Sequence, residues 1–274
     1  MNKLLSVLAA LVFLVSCNME NQTGRLSLQI TDAPVLDAQE VFLAVSGVTL
    51  HGPDGEQHFN LDDGENGYVQ FPLMTLAGDV SEILLAEQEL PAGRYQWIRL
   101  ELVTEGELDT YVELTGGGVH ELDLSSETGL KLNRGFRVPA NGSVSLTLDV
   151  DLRKSLVVSD DMYHLKPVIR MVDNTQVGHI KGTVESALCS TDSMAVYMMT
   201  GEDAEPVDIS PDAEPEMVAP VLDGMFAFGF VEAGDYSLAL ACDPIDDINS
   251  VDTLDFVAEQ NVSVSEQKTV TVLF

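Results

Sequence analysis

Between Ser143 and Leu152 the chain runs SVSLTLDVDL, with an apolar residue at every second position. A period of two puts Val144, Leu146, Leu148 and Val150 on one face of a strand and Thr147, Asp149 and Asp151 on the other. A helix would scatter those residues around its axis and bury no continuous stripe. The same alternation recurs in RLSLQI (25–30), VFLAVSGVTLH (41–51), QWIRLELV (96–103), YVELT (111–115) and YHLKPVIRMV (163–172). Turn signals GPDGE, DDGENG, TGGG and PANG separate these runs. Only residues 72–90, PLMTLAGDVSEILLAEQEL, have room for a helix or two short helical turns. The pattern predicts a mainly β protein built of two sandwich-like domains.

A second alternating set begins at His179 with HIKGTVES, MAVYMMT, MFAFGF, YSLALAC, TLDFVAE and KTVTVLF. Domains are therefore placed at 24–173 and 177–274, and the short junction VDNTQVG (172–178) predicts that they touch. Within the second set, GEDAEPVDISPDAEPEMVAP repeats Asp-Ala-Glu-Pro at 203–206 and 212–215. Its acidity and prolines predict a mobile exposed loop. LPAGRYQWIRL (90–100) and VEAGDYSLALA (231–241) share Ala-Gly-x-Tyr before a strand, where Gly93 and Gly234 would turn the chain. Tyr95 and Trp97 then face one side, and Ile98, Leu100 and Leu102 the other, as in a strand covered on both faces.

The N-terminus follows different rules. Residues 1–16, MNKLLSVLAALVFLVS, place Lys3 before an apolar run too short to span a bilayer, as in a secretory leader. LVSC (14–17) resembles the lipobox of bacterial lipoproteins. The resemblance implies cleavage before Cys17, lipid on its thiol, and a polar tether over 17–23. Such an anchor exceeds the two signals that stable attachment needs. Asn18 lacks the Asp that retains members at the inner membrane, so the expected place is the cell envelope, in the outer membrane of a Gram-negative bacterium. The chain carries 45 acidic and 13 basic residues, a formal net charge of −32. That excludes nucleic acid as a partner, and the acidity fits either a saline habitat or divalent-cation binding.

Several blocks together resemble the bacterial lipoprotein family named domain of unknown function 4382: GRLSLQITDAPVLDAQEVFLAVSGVTLHG, LPAGRYQWIRLEL, GLKLNRGFRVPANGSVSLTLDVDLRKSLV and YHLKPVIRMV. They run from Gly24 to Val172. The resemblance implies a β-rich domain on an exported lipoprotein and no established activity. GHIKGTV and DGMFAFGFVEAGDYSLAL, with the closing strands, resemble carboxypeptidase-regulatory-like and transthyretin-like sandwiches. Those folds imply a spacer or binding module, related in shape to starch-binding domains.

With Cys17 set aside as the anchor, Cys189 and Cys242 are left to pair in an oxidising compartment. CDPIDDINSVD offers Asp243, Asp246, Asp247, Asn249 and Asp252, oxygen ligands of the kind Ca²⁺ accepts; a solvated acidic loop is the plainer alternative. LDDGENG (61–67) is a weaker candidate of the same kind. Tyr95, Trp97 and Arg99 suit either a sugar-stacking platform or core packing. Asp149 and Asp151 on one strand, with Lys166 and Arg170 on another, suit cross-strand ion pairs more readily than acid–base work. Asp32 in ITDAP suits a turn cap before Pro34. The five His show no zinc spacing and no Gly-x-Ser-x-Gly occurs, so no enzymatic role and no resident cofactor are expected. A cleft joining carboxylates of unequal environment would reopen that question.

The expected role is a lipid-anchored, non-enzymatic binding or scaffold module whose partner is an extracellular or periplasmic protein or a glycan. The alternative is a carbohydrate-binding accessory lipoprotein. The loop after Cys242 separates its own two readings. A Ca²⁺-bridged loop predicts that Ca²⁺ raises the melting temperature more than Na⁺ at matched ionic strength, an excess abolished by Asp246→Asn with Asp247→Asn. A solvated loop predicts that the two ions act alike.

Overall fold

Every alternating run predicted above forms strand in the computed structural model. It describes residues 22–274 except 34–37, 63, 107, 125–128, 160–161, 167, 192, 211–212 and 245–253. The first half supplies β1 (Thr23–Ala33), β2 (Ala38–Gly52), β3 (Gly55–Asn60), β4 (Val69–Pro72), β5 (Glu82–Pro91), β6 (Gly93–Tyr95) and β7 (Trp97–Leu102). Next come β8 (Tyr111–Leu114), β9 (Val119–Leu124), β10 (Leu130–Leu132), β11 (Phe136–Val138) and β12 (Ser143–Asp151). After the single helical turn α1 (Leu152–Ser155) follow β13 (Leu156–Ser159), β14 (Met162–Leu165) and β15 (Ile169–Asp173). Beyond the turn at 174–176 lie β16 (Val177–Thr183), β17 (Met194–Thr200), β18 (Met217–Pro220) and β19 (Met225–Glu232). The chain closes with β20 (Gly234–Cys242), β21 (Phe256–Val264) and β22 (Thr269–Leu273).

No sheet mixes strands from before and after that turn. The first module packs a four-stranded sheet, β15-β12-β1-β5, against a nine-stranded one, β10-β7-β2-β8-β9-β14-β13, in which β3 and β4 also pair with β2. A two-stranded β11-β6 ribbon extends it. Leu26, Leu28, Ile30, Leu146, Leu148 and Val150 line the inner face of the small sheet. They meet Val41, Leu43, Val48, Leu50, Ile98 and Leu100 of the large one in a single buried cluster. The second module faces β19-β16-β22 with β18-β17-β20-β21 around Ile180, Val196, Met198, Phe228, Leu238 and Leu240.

Three expectations change. Residues 72–90 hold only a 3-10 turn at Leu73–Leu76; the rest is β5, paired antiparallel with β1. β1 needs a second neighbour, and β5 reaches it with Leu84, Leu85 and Leu90 buried, using register shifts and a positive φ of 44° at Glu87. Thr147 and Asp149, placed outward by alternation, are 0% and 5% exposed because their face of the sheet is covered in turn. The acidic Pro-rich segment is not wholly a loop. It ends in β18, which pairs with β17, and buries Ile209 and Pro215 on the way.

The repeated Ala-Gly-x-Tyr motif acquires a physical meaning. Tyr95 Oη donates to the Pro91 carbonyl at 3.0 Å, and Tyr236 Oη donates to the Glu232 carbonyl at 2.8 Å. Each hydroxyl reaches four residues back across the turn, a tyrosine corner that closes a strand-to-strand bend in either module. Gly93 adopts φ +150°, and a Cβ there would lie 2.6 Å from Pro53. In the second module Cys189 and Cys242 form a disulfide with Cα atoms 5.7 Å apart. Cys189 lies in the β16–β17 loop, so the bond ties that loop to the last residue of β20.

If the corner closes the bend through its hydroxyl, Tyr236→Phe should cost about 1 kcal/mol, the ordinary net worth of one hydrogen bond. Urea unfolding would show this as a lower midpoint with an unchanged slope. An unchanged midpoint would mean that the ring alone does the work.

Candidate functional site

A set of paired ionisable side chains lies where the two modules meet. Alternation puts Asp149 and Asp151 on the same face of β12, and the antiparallel register sets Asp149 directly opposite Arg170 of β15. The Arg170 guanidinium donates to Asp149 Oδ2 from Nη2 at 2.6 Å and from Nε at 3.2 Å. At the end of β12, Asp151 caps α1 by accepting from the Lys154 amide at 3.2 Å. The Lys154 ammonium returns to Asp151 at 3.4 Å and crosses to Glu214 of the second module at 3.1 Å. A second bridge, Lys181 to Asp79 at 2.7 Å, spans the joint elsewhere. A cleft of about 220 Å³ opens here, lined by Asp149, Asp151, Lys154, Arg170, Glu214 and Met217.

Beneath the cleft lies Asp32. β1 runs parallel to β12 and pairs Asp32 with Val150, leaving the residue 3% exposed with no side-chain partner for its carboxyl among the described residues. Burial holds its pKa well above the usual carboxylate range, and the charges of Asp149, Asp151 and Glu40 add to the shift. The Leu152 amide opposes this and is outweighed. Asp151 is also raised by burial, against the pull of Lys154. Burial works against the charge of Lys154, but Asp151 and Glu214 outweigh it and raise its pKa. The void shared by Asp32, Asp149, Gly78, Met217 and Gly229 is about 10 Å³, room for one water. Gly229 makes this close packing possible: a Cβ there would lie 1.7 Å from the Gly78 carbonyl oxygen.

With that architecture described, the family of its first module can be stated. The family model named Domain of unknown function (DUF4382) matches residues 23–167, just over half of the chain. The chain belongs to that family. No curated protein matches it. Among solved structures it is similar to GBS52, the minor pilin of Streptococcus agalactiae, at 12% identity over 90% of this chain and 94% of that one, with a TM-score of 0.23. It is also similar to BcpA, the major pilin subunit of Bacillus cereus, at 12% identity, 92% and 99% coverage and a TM-score of 0.22. The Bacillus anthracis TIE protein shares 11% identity over 92% of this chain, with a TM-score of 0.22. This chain spans 33% of that protein's length.

The remaining candidate residues fall into separate places. In the DUF4382 domain, Trp97 and Arg99 share one face, with the Arg99 guanidinium 4.9 Å and the Lys131 ammonium 4.1 Å from the indole centre. Tyr95 is not with them. It is fully buried in the β11-β6 ribbon, stacked on Phe136 at 4.9 Å, so no three-residue platform faces solvent. His51 stacks on the Trp97 indole at 5.3 Å, which leaves that residue 9% exposed. Lys166 forms no pair with Asp149 or Asp151; Lys154, a residue the strand pattern does not single out, takes Asp151 instead. Asp32 is a buried carboxyl, and the turn at Pro34 that it is expected to cap lies outside the described residues. Asp243 is exposed in a turn, whereas Asp246, Asp247, Asn249, Asp252 and Cys17 lie outside the described residues. Among the described residues, no group of three or more His, Cys, Asp or Glu side chains is arranged to hold a metal ion.

Asp32 ties stability to pH. In the unfolded chain its carboxyl loses its proton near pH 4, while the folded joint keeps it, so stability falls as pH rises until the raised folded value is passed. Asp32→Asn keeps the shape and removes that loss. The variant should melt above the parent, and the gap should widen as pH rises from the unfolded-state value near 4 towards the raised folded value. A constant gap would mean that Asp32 titrates alike in both states.

Proposed function

We propose that this chain is an exported, lipid-anchored, non-enzymatic binding or scaffold protein of the cell envelope. The observation that carries this reading is the joint. The carboxyl most perturbed by burial faces a void that admits one water and no substrate, while Asp149 and Asp151, which line the open cleft, are paired with Arg170 and Lys154. Carboxylates of unequal environment do meet here, yet the one with the raised pKa is sealed away from any substrate. The arrangement therefore favours holding two β modules in a fixed relation over acid–base chemistry.

Further support comes from the junction itself. Asn174 donates to Ser145 Oγ at 2.9 Å and accepts from Thr147 Oγ1 at 2.8 Å, while its amide donates to the Ser145 carbonyl at 2.9 Å. A turn bound to the sheet at three points passes displacement from one module to the other and suits a spacer that presents a surface away from a membrane. Attachment rests on the sequence around Cys17. Metabolic labelling with a palmitate analogue should mark the parent. Cys17→Ser should accumulate as an unprocessed, unlabelled precursor. Equal labelling of the two would sink the lipid-anchored reading.

A further inference from the structure

The core of the DUF4382 domain is left open at one corner. Register pairs Tyr163 of β14 with Leu122 of β9, and alternation then puts His120, Leu122, Leu124 and Tyr163 on one face of the large sheet. Leu122 belongs to the buried cluster and Leu124 and Tyr163 pack against it, so this face is the inner one. Between these side chains and Leu102, Thr104 and Thr110 lies a cavity of about 660 Å³, three times the cleft of about 220 Å³ at the joint. Val119 and Met162 at its border are exposed, so it opens to solvent. Interiors are close-packed, and a space of this size falls within the range of about 300–1,000 Å³ typical of small-ligand sites.

The walls are held in place by the protein's own hydrogen bonds. Thr110 Oγ1 donates to the Val103 carbonyl at 2.8 Å and accepts from the Ala44 amide at 3.2 Å. The Asp109 carboxylate accepts from the Gly106 amide and from the Tyr68 hydroxyl, each at 2.8 Å. Gln70 donates to the Leu108 and Asp109 carbonyls at 2.8 and 2.7 Å. Gly129, which also lines the cavity, packs so closely on β7 that a Cβ would lie 2.2 Å from the Leu100 carbonyl oxygen. On the β9–β14 side the rings of His120 and Tyr163 lie 4.7 Å apart, inclined by 40°. Both residues are half-buried, and among the described residues the polar atoms of neither ring have a hydrogen-bond partner.

We infer that this cavity binds a short segment of a neutral glycan. Among the described residues no Lys or Arg lines it, so an anion finds nothing there to offset its repulsion by a chain of net charge −32. Glu121 and Asp123 border the opening, but alternation turns them to the outer face of β9, and His164 engages Asp123 at 2.9 Å. The inner wall formed by these strands therefore offers an organic cation no carboxylate. A wholly apolar molecule would cover the polar tips of His120 and Tyr163 and leave them unpaired, which is unfavourable. The occupant must present apolar faces to the two rings and to Leu102, Leu122 and Leu124. It must also carry groups that donate and accept, to meet His120, Tyr163 and Thr104. A sugar ring has both, with C–H groups on its faces and hydroxyls on its rim. The inference names a ligand class for the binding role proposed above, and rests on that reading only for where glycans are met.

The purified mature chain should be titrated by calorimetry with maltotriose, laminaritriose and cellotriose, which differ in linkage. Digalacturonate and spermidine serve as the anionic and cationic comparisons. At least one neutral trisaccharide should bind, with an affinity that stays the same between low and high salt because no ion pair forms. Tyr163→Phe keeps the ring and its packing on the core and should weaken that binding several-fold by removing one hydroxyl. Thr104→Trp, at an exposed position, should fill the cavity and weaken binding about tenfold or more while the melting temperature stays at the parent's. The inference fails if none of the three trisaccharides binds, or if digalacturonate or spermidine binds as tightly. It also fails if either variant binds like the parent, which would place the sugar elsewhere on the chain. Because no lipid is involved, failure here leaves the Cys17 labelling result standing, and the converse holds too.

Discussion

The Asp149–Arg170 pair is the interaction on which the arrangement of the modules depends. A sheet with an apolar face needs one partner layer, and β12 finds it in the large sheet. Its other face carries Thr147 and Asp149, and covering a carboxylate is costly unless a cation covers it as well. Arg170 arrives from the adjacent strand in register, so Asp149 is neutralised before the second module approaches. Stripping a partner from such a buried pair costs about 3–5 kcal/mol, whereas the intact pair is close to neutral. The pair therefore permits the joint more than it drives it.

What draws the modules together is shape, a bound turn and a few bridged charges. Gly229 lets its strand approach the backbone at Gly78 more closely than any side chain would allow. Lys154 and Lys181 then cross the joint to Glu214 and Asp79. Asp32 is buried with no counter-charge among the described residues, and that burial raises its pKa.

The two basic regions show opposite uses of scarce cations. At the joint, each cation named is spent on a carboxylate of its own chain, and the result is internal and structural. On β7 and β10, Arg99 and Lys131 stand opposite each other beside the Trp97 indole. A sheet pays for that repulsion with stability, which is tolerable on a core as large as the first module's.

Alternation along single strands was enough to determine that the chain is mainly β, which faces are apolar, and that two successive sets of strands exist. Side-chain direction in a strand is a local property, set by the backbone with period two. The repeated Ala-Gly-x-Tyr marked both corners for the same reason, since its hydrogen bond closes within four residues. Segment 72–90 was misleading because its pairing with β1 is long-range and nothing local to it names the partner. The burial of Asp32 and Asp149, the pairing of Lys154 with Glu214, and the removal of Tyr95 from the side of Trp97 were likewise decided by tertiary structure. Each depends on which surface covers which, across 50 or more residues or across a break between sheets, and a polar residue on a strand reads the same whether its face meets water or another module.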